Sequence, residues 1–164
     1  MNRGLNLPEP HTSALLTLLQ RVPPDEVTWV LTGSAGLRLR GVDVPVHDLD
    51  VQSNPAGVDE IVRRLPEAVR IQPTWSAGAR IRSYYGTMEL DGLKVELMGN
   101  IQRLMPDGSW SQVIDLIAFR SWVSWQNLRV PVLDLAYEAQ AYEELGRTEK
   151  AVAIRAVLQA QGDR

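Results

Sequence analysis

WVLTGSAGLRLRGVDVPVHDLDV, residues 29–51, is the stretch whose reading decides the fold. The apolar run Val27 to Leu31 has the character of a short buried strand. It breaks at Gly33-Ser34, and Ala35 to Arg40 reads as a short helix stopped by Gly41. A second strand is expected from about His47 to Gln52. Where a strand runs into a helix, free backbone N–H groups and the positive end of the helix dipole face whatever lies above the turn. Gly33 lets a ligand approach the backbone and Ser34 adds a hydroxyl, which makes the turn a place for a phosphate. The same Gly-Ser pair also serves as a plain helix cap. On the second strand, side-chain alternation sends Asp48 and Asp50 to one face and Leu49 and Val51 to the other. Two carboxylates so placed repel unless a cation lies between them, so a divalent metal is the economical reading. A hydrated strand end is the competing one.

Outward from this stretch, Ser13 is expected to cap a first helix through Leu15, Leu16, Leu18 and Leu19, stopped by Pro23-Pro24. Asn54-Pro55 opens another helix, with proline at its first position. Ile81 to Leu90 and Leu93 to Met98 flank Asp91-Gly92, a two-residue type I′ hairpin signal. That turn sets the register: Leu90 opposite Leu93, Glu89 opposite Lys94, Thr87 opposite Glu96. Leu93, Val95 and Leu97 form the apolar face, which leaves Lys94 and Glu96 together on the other. Asp107-Gly108 marks a turn before a further expected strand, Val113 to Ala118. Leu135, Ala139, Tyr142 and Leu145 share one helical face, Gly146 breaks that helix, and Ala151, Ile154, Val157 and Leu158 line the next. The expected class is α/β (α+β): a mixed β-sheet flanked by helices, with a short helical C-terminal extension over about 134–161. The chain reads as one domain over 1–164.

Composition removes whole classes of function. The 164 residues hold 45% hydrophobic and 23% charged side chains, the usage of an ordinary globular protein. With 17 basic and 20 acidic residues the formal net charge is −3, so no general DNA or RNA binding is expected. Cysteine is absent and only His11 and His47 are imidazoles, so a metal here would be a hard cation held by carboxylates. Met1 to Pro10 lacks the apolar core of a signal peptide, and no run approaches a membrane span of roughly 20 apolar residues. A cytoplasmic protein without a membrane partner is expected.

A Gly-Ser at a strand–helix turn, an Asp-x-Asp on the next strand and one carboxylate on a later strand resemble the nucleotidyltransferase superfamily that includes DNA polymerase beta. Within it, the chain is similar to small members: antibiotic nucleotidyltransferases of the lincosamide type and the minimal nucleotidyltransferases of toxin–antitoxin pairs. The motifs span Val27 to Gly99, and Tyr137-Glu138-Ala139-Gln140 with Leu145 to Lys150 look like the closing helices of such proteins. The resemblance implies that Asp48, Asp50 and Glu96 are the catalytic, metal-holding carboxylates for two Mg²⁺ ions on a nucleoside triphosphate, ATP in the simplest case. Gly33 and Ser34 would grip its outer phosphates. The reaction implied moves a nucleoside monophosphate, AMP, to a hydroxyl of a small molecule or protein and releases pyrophosphate. A homodimer or a partner protein could complete the cleft.

Arg38, one helical turn after Ser34, is a further nucleotide-binding candidate against a solvated helix face, and Lys150 is another against an exposed first turn. His47 reads as structural, and Lys94 reads as the ion-pair partner of Glu89. One or two of Trp75, Trp110, Trp122 and Trp125 could stack on a ring, although packing accounts for most tryptophans. The other class of function is a non-catalytic nucleotide-binding or interaction module, such as the nucleotidyltransferase-fold half of a toxin–antitoxin pair. A complete set of three carboxylates speaks for the enzyme.

Overall fold

A computed structural model describes residues 5–162; the first four residues of the polar N-terminal stretch lie outside the described residues. In chain order the elements are α1 (His11–Arg21), β1 (Val30–Thr32), α2 (Gly33–Leu39), β2 (Leu49–Ser53), α3 (Pro55–Arg64), β3 (Val69–Ala77), β4 (Ile81–Leu90), β5 (Leu93–Arg103), β6 (Arg120–Trp125), β7 (Leu128–Leu133), α4 (Leu135–Glu144) and α5 (Thr148–Ala160). The seven strands form one sheet in the order β3-β4-β5-β2-β1-β7-β6. β2 runs parallel to β5 and β1 parallel to β7, while every other neighbouring pair is antiparallel.

The β4–β5 hairpin turns at Asp91 and Gly92, with φ of 51° and 81°. Its register places Leu90 opposite Leu93, Glu89 opposite Lys94 and Thr87 opposite Glu96, as the two-residue turn requires. Alternation then divides the sheet. Leu49, Val51, Val95 and Leu97 are fully buried in the main core, together with Leu15 and Leu18 of α1 and Val58 and Ile61 of α3. Each such side chain contributes about 1.5–3 kcal/mol by leaving water. A second apolar cluster joins Leu37 of α2 to Leu135, Ala139 and Tyr142 of α4 and Ala151 and Ile154 of α5. The helices thus form two layers, and the site lies on the sheet face away from α1 and α3.

Caps fix the helix ends near that site. Asn54 accepts from the Gly57 amide (2.7 Å) ahead of Pro55, and Asp134 accepts from the Tyr137 amide (3.0 Å). α4 ends at Gly146 (φ 78°), where the Arg147 amide donates to the Tyr142 carbonyl (2.8 Å) and that of Gly146 to Glu143 (3.0 Å).

Several expectations need correction. α1 begins before Ser13, whose hydroxyl donates instead to Glu9 (2.6 Å). The first strand is the shorter Val30–Thr32, and α2 starts at Gly33 itself. Val113 to Ala118 is no strand: residues 116–119 turn, and Leu116 packs on Val30 and Leu133. The real hairpin lies beyond, β6–β7, turning at Gln126 and Asn127 with φ of 50° and 61°. β3, a largely exposed edge strand, was not expected either.

Candidate active site

Thr32, Asp50 and Glu96 lie side by side across three strands. Thr32 is the register partner of Asp50 on antiparallel β1–β2, and Asp50 is the partner of Glu96 on parallel β2–β5. The Asp50 and Glu96 side chains are close enough to share a hydrogen bond. Burial, reinforced by the negative charges of Glu96, Asp48 and Glu138, pushes the Asp50 carboxyl well above the usual carboxylate range. Glu96 also accepts from the Tyr85 hydroxyl (3.2 Å) and pairs with Lys94 (3.2 Å). Lys94 therefore turns along its own strand, and its cross-strand neighbour Glu89 pairs with Arg70 (3.5 Å) instead.

These groups open into a cleft of about 230 Å³ lined by Thr32, Gly33, Asp50 and Glu96, by Arg103 at the end of β5 and by Glu138 of α4, among others. Asp48 is half-buried just ahead of β2, and its field reaches both Asp50 and Lys94. Among the described residues, no three His, Asp or Glu side chains are drawn together tightly enough to enclose an ion by themselves. The donor set is nonetheless that of a hard divalent cation. It is oxygen-only, crowded with like charge, and matched by a single half-exposed lysine.

Gly33 meets the close approach that its position implies. Its φ is +68°, and a Cβ there would sit 2.1 Å from Asp50 Oδ2. Its amide donates to Glu138 Oε1 (2.9 Å), which also accepts from the Thr32 hydroxyl (2.6 Å). Ser34 is buried, and its hydroxyl accepts from the His47 amide (3.0 Å), which ties down the loop that leads to Asp48. The His47 carbonyl in turn accepts from His11 Nε2, so His47 serves through its backbone. Arg38 lies outside the cleft. Its guanidinium donates to the carbonyls of Asn6 (3.1 Å) and Val44 (3.3 Å) and pairs with Asp43 (3.2 Å). Lys150 sits over the ring of Tyr142 at 5.3 Å, at the rim. No tryptophan lines the cleft: Trp125 is core, Trp110 lies under Arg82 (4.4 Å), Trp122 lies between Arg120 and Arg129, and Trp75 is on edge strand β3.

Glu138 carries no role predicted from the sequence beyond its place in the helix Tyr137-Glu138-Ala139-Gln140. Its signal was available: Leu135, Glu138, Ala139 and Tyr142 occupy the spacing of one buried helical stripe, and a glutamate on such a stripe needs a partner. Burial raises its carboxyl to about 7, against the lowering effect of the Thr32 and Gly33 hydrogen bonds. Beside it, Arg103 is buried on Glu144 (2.6 Å) and the Tyr137 hydroxyl (2.8 Å).

Comparisons place this geometry in context. Residues 14–156 match the family model of aminoglycoside-2''-adenylyltransferase. A proposed nucleotidyltransferase from Thermotoga maritima is 37% identical over 95% of this chain and 97% of its own, with a TM-score of 0.81. The lincosamide antibiotic adenylyltransferase LnuA, bound to lincomycin, shares the fold at 13% identity over 93% of this chain and 99% of its own (TM-score 0.58). So does an antigenic nucleotidyltransferase-like protein from Paracoccidioides brasiliensis, at 14% identity over 95% and 78% (TM-score 0.51). No curated protein matches. With the family model covering most of its length, the chain belongs to the aminoglycoside-2''-adenylyltransferase family and has the nucleotidyltransferase fold.

Proposed function

We propose that this protein transfers AMP from ATP to a hydroxyl of a small-molecule acceptor and releases pyrophosphate. The observation that carries the reading is the in-register pair Asp50–Glu96 at the base of the cleft, beside a glycine turn that admits close approach. Asp48, Asp50 and Glu96 would hold Mg²⁺, which when bound neutralises the triphosphate and polarises the phosphorus under attack. The acceptor oxygen bonds to the α-phosphorus, the bond to the bridging oxygen breaks, and the hydroxyl proton passes to the carboxylate cluster. Positioning and charge neutralisation supply the rate. A net charge of −3 favours a nucleotide with a small acceptor over a nucleic acid.

The test mixes the protein with Mg²⁺, each nucleoside triphosphate in turn and a panel of aminoglycosides and lincosamides. Pyrophosphate release and an added AMP mass on one acceptor are the expected result, both lost in Asp48→Asn and Asp50→Asn. Nucleotide binding without turnover would reduce the protein to a binding module. Metal and nucleotide binding unchanged in both variants would remove the site assignment as well.

A further inference from the structure

Asp50 rests against a peptide unit that carries no side chain, since the space a Cβ would take at Gly33 is filled by Asp50 Oδ2. The orientation of Asp50 therefore depends on where Gly33 is held, and Gly33 sits at a left-handed φ where the backbone has other choices. Glu138, 105 residues further along the chain, holds it. One carboxylate oxygen accepts from the Gly33 amide and from the hydroxyl of Thr32, the cross-strand partner of Asp50. The helix that carries Glu138 is itself fixed at both ends, by the Asp134 cap and the Gly146 turn, and packs through Ala139 and Tyr142 on Leu37 of α2.

A side chain 4% exposed that is an acid is a costly way to tie a helix to a strand. Its two hydrogen bonds do not offset the burial, because the net effect still favours the neutral form. An apolar residue of similar volume would hold the layers together with less strain. What a hydrocarbon cannot supply is a fixed acceptor for two particular donors.

We propose that Glu138 is a positioning residue for nucleotidyl transfer, clamping the Thr32–Gly33 turn against Asp50 so that this carboxylate is held in one orientation beside Glu96. The inference rests on the reading of Asp50 as a catalytic carboxylate. Glu138 acts through the turn, by holding the Thr32 hydroxyl and the Gly33 amide.

Three variants separate the alternatives. Glu138→Gln keeps an acceptor oxygen for both donors, Glu138→Leu keeps the volume without the acceptor, and Thr32→Val removes one donor. Three readouts are used: hydrogen exchange at the Gly33 amide, Mn²⁺–ATP affinity by electron paramagnetic resonance, and kcat for pyrophosphate release. Glu138→Leu is expected to lower kcat about 10- to 100-fold, the scale of a small misplacement of a reacting group, and to lower thermal stability because the Thr32 hydroxyl and the Gly33 amide lose their acceptor. Its Gly33 amide exchanges at least about tenfold faster, and Mn²⁺–ATP binding weakens. Glu138→Gln stays within about threefold of the wild type in all three, and Thr32→Val falls between them. Wild-type kcat and Gly33 protection in Glu138→Leu would overturn the proposal by showing a merely structural residue. Equal damage in Glu138→Gln would overturn it by showing that the charge itself is needed. If Glu138→Leu does not fold, Thr32→Val and Glu138→Gln decide. A wild type that turns over no acceptor removes the enzyme reading, whereas the Gly33 exchange rates still decide the clamp.

Discussion

The two walls of the cleft treat charge in opposite ways. Where α4 packs over the end of β5, Arg103 is 8% exposed and engaged by Glu144 at 2.6 Å and the Tyr137 hydroxyl at 2.8 Å. Beside Asp50 and Glu96, among the described residues, the ion-pair partner is Lys94, whose side chain is 52% exposed. The chain carries 15 arginines and could have matched both walls. It balances the wall that supports α4 and leaves negative the wall where a nucleotide with its cations would bind. The matched wall holds structure, and the unmatched wall holds a requirement that a ligand meets.

Asp50→Asn breaks the contrast most sharply. Removing a charge from the unmatched wall should lower kcat about 10³-fold, the scale of losing a group that stabilises the transition state. Folding should be spared: because the Asp50 carboxyl is held above its ordinary range, the charged form is disfavoured in the folded protein, and melting at pH 8 should occur at an equal or higher temperature. A marked loss of stability would mean that the wall is not crowded. Arg103→Met makes the reverse cut. It leaves Glu144 without its buried partner and should cost about 3–5 kcal/mol in a denaturant titration. A loss under about 1 kcal/mol would put that pair in the class of solvent-exposed bridges.

Glu138 gives the contrast a pH dependence. Its carboxyl titrates at about 7 in the folded protein against an ordinary 4.5. Between those values the folded state binds more protons than the unfolded state, so stability falls as pH rises from about 4.5 to about 7. Glu138→Gln should flatten that slope by up to about 3 kcal/mol in melts across the range, and an unchanged slope would assign it to other groups. Lys94→Met is the smallest perturbation. It frees Glu96 from an exposed competitor, so affinity for Mn²⁺ should rise about two- to fivefold with stability moving by less than about 1 kcal/mol. Weaker binding would show that Lys94 works with the ligand.

What the sequence disclosed follows from which physical signals are local. Period-two alternation puts Asp50 and Glu96 opposite the apolar side chains of their strands, and Asp91-Gly92 fixes the β4–β5 register, because each depends on a few adjacent residues. The β6–β7 hairpin was hidden for equally local reasons. Gln126-Asn127 adopts positive φ without a glycine to announce it, and Pro131 lies within β7, a strand paired on both sides. Edge strand β3 carries Pro73, a shifted register and mostly exposed side chains, so no apolar alternation marks it. Arg38 faces away from the cleft because its donors are taken by segments before and after α2, Asn6 and Val44, which no reading of α2 alone contains. Glu138 depends on a contact across 106 residues, for which the sequence offers only an acid on an apolar stripe.

That same contact sets the order in which the molecule can be completed. Strand β1 takes its parallel neighbour from Val132, and its last hydroxyl and the amide after it take their acceptor from Glu138. While the chain emerges from the ribosome, β1, α2 and β2 are present long before either partner. The Gly33 amide lacks its acceptor until residue 138 has been made. Closing so long a loop is slow, so the clamp follows the local pairing of β1 with β2. A nascent chain halted before α4 would carry Asp50 on β2 and Glu96 on β5 without the clamp that aligns them.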